Sequence, residues 1–166
     1  MKPYLTATFA ALAATIADAA DAHVVLSQTH APAGSHYTGY LRVTHGCDGA
    51  ATTALRIEIP ADVEGAKPQP KPGWTLSIEH QAKRVSAITW TGGPLPDDQW
   101  DEFGLSAKLP ARAGSVAFPS LQTCGQSEVR WSDLPAPGHP SAHPAPAITL
   151  DPAKPDDGMM GMSMKP

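Results

Sequence analysis

Short stretches in which apolar and polar or β-branched side chains alternate recur along the chain. They fall at residues 23–28, 38–45, 53–59, 74–80, 85–91, 99–109, 115–121, 128–134 and 147–150. A period of two sends successive side chains to opposite faces of an extended strand, so each stretch is predicted to be a strand with one buried face. The links between them carry turn chemistry, as in Pro32-Ala33-Gly34, Gly46-Cys47-Asp48-Gly49, Lys71-Pro72-Gly73 and Gly92-Gly93-Pro94. Seven to nine short strands in this length predict an all-β fold, a two-sheet β-sandwich. The 18 prolines and 14 glycines work against long helices.

Two segments fall outside this pattern. The first 22 residues read as a signal peptide. Lys2 gives a small positive start, Leu5 to Ala17 is apolar but too short to span a bilayer, and Ala20-Asp21-Ala22 is a small-residue cleavage signal. Cleavage there exposes His23 as the new N-terminus. A second such signal, Ala17-Asp18-Ala19, sits three residues earlier. From Pro135 onward prolines break any long regular element. Residues 151–166 are polar and then Met-rich, which predicts a disordered tail. The expected division is a signal peptide at 1–22, a β-sandwich at 23–150 and a tail at 151–166. No membrane anchor is evident, so the mature chain is expected in the periplasm or outside the cell.

Composition narrows the function. Hydrophobic residues make up 42% of the chain, enough for a core, and the net charge of −4 gives no basic face for nucleic acid or membrane. Phosphate-binding loops and nucleotide fingerprints are absent. In an exported protein, the only two cysteines, Cys47 and Cys124, are expected to pair. A bond closing a loop of that size is worth roughly 4.5 kcal/mol in the chain-entropy model. The rival reading makes them copper thiolates, but no C-x-x-C supports it.

The sharpest candidate chemistry lies at His23. As a first residue it offers an α-amine and an imidazole together, a chelate that suits Cu(II), which prefers nitrogen and oxygen donors in tetragonal geometry. The amine has an ordinary pKa of ~7.7–8.0 and yields its proton readily to a metal. The competing reading is an ordinary terminal histidine. A further ligand is sought in Asp97-Asp98-Gln99-Trp100-Asp101-Glu102-Phe103. On a strand, Trp100 and Glu102 share one face and Asp101 and Phe103 the other, so one carboxylate could sit beside an aromatic shell. The bland alternative is a solvated turn. The tryptophans, Trp74, Trp90, Trp100 and Trp131, are expected mainly in the core, with Trp131 able to pack over a metal or fill the sandwich. Met159, Met160, Met162 and Met164 supply soft thioethers suited to Cu(I). His30, His36, His45, His80, His139 and His143 are expected to be solvent-exposed rather than ligands.

Several motifs in order resemble the bacterial YcnI-like copper-binding proteins, long described as a domain of unknown function. They begin with His23-Val24, Ala31-Pro32-Ala33-Gly34-Ser35 and Leu41-Arg42-Val43-x-His45-Gly46-Cys47-Asp48-Gly49. Lys67-Pro68-Gln69-Pro70-Lys71-Pro72-Gly73-Trp74 follows, then Ile88-Thr89-Trp90-x-Gly92-Gly93-Pro94-Leu95-Pro96-Asp97-Asp98-x-x-Asp101-Glu102-Phe103. Gln122-x-Cys124 and Arg130-Trp131-Ser132-Asp133 complete the set. The resemblance runs from His23 to about Leu150. It implies a cupredoxin-like or immunoglobulin-like sandwich and a Cu(II) site called a monohistidine brace. The amine and ring of the N-terminal histidine bind the metal there together with a glutamate. Carried onto this chain, the ligands are His23 and Glu102, with Trp131 close by.

The same resemblance implies a metallochaperone or copper homeostasis factor, with a membrane copper importer or another periplasmic copper chaperone as partner. Many relatives end in a membrane anchor, whereas this chain ends in its Met-rich tail. Two other readings stay open. One is a copper oxidase or monooxygenase, although brace enzymes need a second histidine and no substrate face is evident. The other is a metal-free sandwich used as an interaction module.

Overall fold

The computed structural model describes residues 24–134 and 141–152. Among them the regular elements are twelve strands: β1 (Val24–Leu26), β2 (His30–Pro32), β3 (His36–Val43), β4 (Thr52–Glu58), β5 (Glu64–Pro68), β6 (Trp74–Gln81), β7 (Arg84–Leu95), β8 (Asp101–Lys108), β9 (Gly114–Ala117), β10 (Ser120–Cys124), β11 (Ser127–Trp131) and β12 (Ala147–Asp151). No helix among these residues is long and apolar enough to cross a membrane.

A four-stranded sheet in the order β1-β3-β8-β5 faces a five-stranded sheet in the order β11-β10-β4-β7-β6. A small third sheet, β2-β12-β9, closes one end. The alternation in β3 explains its place. Tyr37, Leu41 and Val43 are buried, while His36, Thr38 and Tyr40 face water. Phe103, Leu105 and Ala107 of β8 continue that inner face. Leu55 and Ile57 of β4 and Ile88 and Trp90 of β7 supply the opposing layer, paired directly across the strands. All of these belong to one apolar cluster with Val116, Phe118, Ile148 and Leu150 of the closing region. Full burial of each large side chain contributes about 1.5–3 kcal/mol relative to exposure.

The predicted all-β sandwich is therefore found, with differences at the edges. The stretch read as one strand at 115–121 is two, β9 and β10, because the chain breaks at Phe118-Pro119 and the halves join different sheets. β2 and β5 were not predicted. In each only one residue, Ala31 or Ala66, is buried, so no alternation marks them. Cys47 and Cys124 form the expected disulfide with Cα atoms 5.8 Å apart. It ties the loop after β3 to the end of β10.

Candidate metal centre

Glu102 is the second residue of β8. Its Cα stands opposite Arg42 of β3, and Arg42 stands opposite Val25 of β1. The three therefore lie side by side across three strands, with neighbouring strands about 4.8 Å apart. Because Phe103 points into the core, Glu102 points outward, and its side chain is 29% exposed.

Its surroundings hold it at both ends. Arg42 donates from Nε at 3.1 Å and from Nη2 at 2.7 Å, both to Oε1. The guanidinium carbon of Arg42 lies 5.1 Å from the centre of the Trp100 ring. On the main chain, the Glu102 N–H donates to Asp101 Oδ1 at 2.7 Å. Lys71 Nζ donates to the Glu102 carbonyl at 3.0 Å and pairs with Asp101 Oδ1 at 2.7 Å. The same ammonium sits 4.9 Å from the Phe103 ring centre. Lys71 is placed there by the turn that follows, where Gly73 adopts a φ of 79° that a side chain would resist. Phe103 is wedged edge-on against Trp74 and Trp90, with ring centres 5.0 and 5.5 Å away. A core aromatic and a nearly buried lysine thus fix the backbone on which the carboxylate stands.

Trp131 is in a different setting. It ends β11, is 1% exposed, and donates through Nε1 to Gln122 Oε1 at 3.2 Å. Gln122 Nε2 in turn donates to the His45 carbonyl at 2.9 Å and to Thr52 Oγ1 at 2.7 Å. The His143 ring meets the Trp131 ring edge-on at 5.1 Å. The backbone carrying His143 is pinned to the end of β11, since Ser132 and Asp133 N–H groups both donate to its carbonyl. The described partners of Glu102 and those of Trp131 do not overlap.

Two expectations need correction. Trp100 is not a core residue. It precedes β8, where no sheet covers it, and is 62% exposed. Arg42 nevertheless reaches both this indole and Glu102. His45 is not solvent-exposed. The turn through Gly46 and the disulfide at Cys47 draw it inward, so that it is half-buried. Its Nδ1 lies 2.7 Å from the Gly46 carbonyl, and its Nε2 is buried with no hydrogen-bond partner among the described residues. A carbonyl can only accept, so the neutral ring carries its proton on Nδ1 and leaves Nε2 bare. His30, His36, His80 and His143 are exposed as expected.

The sequence marks Glu102 as a candidate but does not mark Arg42 and Lys71, which hold it. The only signal available was a cation at an outward position of a strand, which by itself does not name its partner. Among the described residues no three His, Cys, Asp or Glu side chains are grouped to hold a metal. His23, His139, Met159, Met160, Met162 and Met164 lie outside the described residues. For a single metal donor, however, Glu102 is suitable. Oε1 takes both guanidinium donors, and no described group hydrogen-bonds to Oε2.

Comparison with known proteins places the chain in a family and a fold. The family model described as a domain of unknown function, DUF1775, matches residues 23–150. A Bacillus subtilis protein named copper-binding protein CutI is 30% identical over 105 residues, which are 62% of this chain and 51% of that protein. The match thus spans about half of the relative's length. A crystal structure of an uncharacterised Nocardia farcinica protein with an immunoglobulin-like fold superposes with a TM-score of 0.70 at 33% identity. It covers 80% of this chain and 99% of that one. The family resemblance and the sandwich fold read from the motifs are both upheld.

Proposed function

The chain belongs to the DUF1775 family, and from that premise we propose that it is an extracytoplasmic copper-binding protein that carries Cu(II) rather than catalysing with it. The observation that carries the reading is the register Val25–Arg42–Glu102, which sets a half-exposed carboxylate two strands from the start of the leading strand. A histidine amide-bonded to Val24 lies within one residue of that strand, and its Cα is 3.8 Å from the next one by covalent geometry. Its amine and imidazole with Glu102 make two nitrogens and one oxygen, a donor set suited to Cu(II). The name of the Bacillus subtilis relative supports copper as the ion.

In this reading the signal peptide is removed before His23, and the protein works as a chaperone or homeostasis factor. A hard carboxylate ligand favours the cupric state and discourages redox cycling, which argues for a carrier over an oxidase. Among the described residues the one histidine with a bare buried nitrogen, His45, lies in the loop after β3 with that nitrogen turned inward, whereas Glu102 faces outward. It does not supply the second histidine that a brace enzyme needs. Met159, Met160, Met162 and Met164 form a separate soft set for Cu(I), and a membrane copper importer or another periplasmic copper chaperone receives the ion.

The test is a Cu(II) titration followed by electron paramagnetic resonance on the protein beginning at His23. One equivalent should give a single type 2 signal. Adding one residue before His23, or substituting His23→Ala, should abolish tight binding. A variant that keeps its affinity would remove the brace. Truncation after Asp151 should leave the Cu(II) titration unchanged and lower Cu(I) uptake, and equal uptake would reduce the tail to a linker.

A further inference from the structure

We propose that Arg42 is a positioning residue for the metal centre: it grips Glu102 by one carboxylate oxygen and so presents the other to the metal. The inference rests on the reading of Glu102 as a ligand.

The grip is specific in its geometry. Two donors from one rigid fork converge on Oε1, at 3.1 and 2.7 Å, instead of spreading across both oxygens as a side-by-side pair would. Oε1 has two lone pairs, and both are engaged. Oε2 has no hydrogen bond from any described group and lies on a side chain open to solvent. The fork is itself braced, because its carbon sits 5.1 Å from the Trp100 ring centre. This gives a use to an indole that the fold leaves 62% exposed. Below the carboxylate, Asp101 and Lys71 fix the Glu102 main chain. The side chain is therefore tied at its root and along one edge of its tip, and a metal meets it through Oε2 alone. Coordination by Glu102 is monodentate.

Two effects oppose each other when Arg42 is lost. The guanidinium charge repels a dication, so removing it helps binding. Losing a group that orients a ligand typically lowers metal affinity by 10–100-fold. Arg42→Lys separates them, because lysine keeps the charge and loses the planar fork.

The experiment measures Cu(II) affinity and the paramagnetic resonance spectrum for Arg42→Lys, Glu102→Gln and the double variant, each beginning at His23. Circular dichroism and the thermal midpoint confirm that each is folded. Arg42→Lys should weaken Cu(II) binding about tenfold or more and alter the spectrum. In the Glu102→Gln background the same substitution should add nothing, since the two residues act as one unit. Wild-type affinity and spectrum in Arg42→Lys, with Glu102→Gln clearly impaired, would overturn the clamp and leave Glu102 a ligand. A silent Glu102→Gln would sink the ligand assignment and the clamp with it.

Discussion

At the start of β8 charge is paired in the open, while at the end of β11 polarity is buried and neutral. Glu102, Arg42, Asp101 and Lys71 form the first corner, with long side chains that keep partial contact with water. Trp131, Gln122, Thr52 and the His45 carbonyl form the second, beside the disulfide, with Trp131, Gln122 and Thr52 all shut away from solvent. The difference sets what each corner can do. Exposed ion pairs contribute about 0–1 kcal/mol each, so their partners can be exchanged at little cost to the fold. A buried neutral chain is held more firmly, because losing one member strands the next without a partner. The first corner can exchange partners, and the second cannot do so without disturbing the core.

Substitutions that treat the two corners alike should give opposite results. The largest effect is expected for Trp131→Ala, which removes a fully buried indole and leaves Gln122 Oε1 without its donor. It should cost about 3–5 kcal/mol in urea unfolding. A loss under about 1 kcal/mol would mean that this corner does not hold the sandwich together.

A second test uses pH to compare interior with surface. Burial pushes the Tyr37 hydroxyl from 10.0 up to about 12, and that hydroxyl donates to the Gln28 carbonyl at 3.0 Å. Between those values the unfolded chain has lost this proton and the folded chain has kept it. Stability therefore falls as pH rises from 10 to 12, by about 2–3 kcal/mol in all. Tyr37→Phe should flatten that slope in denaturant titrations across the range, and an unchanged slope would place its origin elsewhere. By contrast, Glu79 on the surface is held below the usual carboxylate range by its hydrogen bonds with Arg56.

The smallest change in stability is expected for Glu102→Gln, less than about 1 kcal/mol by the same unfolding measurement. The same variant should clearly weaken Cu(II) binding. A large loss of stability would make Glu102 part of the scaffold and erase the contrast.

How much of this could be read from sequence follows the same division. β3, β4 and β8 were legible because one face is buried and the other wet, so burial writes itself into alternation. β5 was not, since its pairing with β8 depends on backbone hydrogen bonds that any residues can make. Glu102 was singled out through the motif around it, whereas the exposure of Trp100 was not legible, because it stands just before β8 begins. The grip of Arg42 was not legible, because opposite positions on two strands are sixty residues apart in sequence. His45 was misjudged for a similar reason. Its burial comes from Gln122 and Cys124, both far along the chain, which fold over the turn that carries it.

One pairing has a consequence for timing. β12 lies parallel to β2, with Thr149 opposite His30 and Asp151 opposite Pro32, while β1 just before it pairs with β3. The opening stretch of the polypeptide is thus stitched by a near neighbour on one half and by the last strand on the other. Such a long-range closure is slow relative to hairpins. A chain emerging head first can pair β1 with β3 early but can lock β2 only after β12 has followed, so this edge of the fold stays half-fastened until the last described strand is in place.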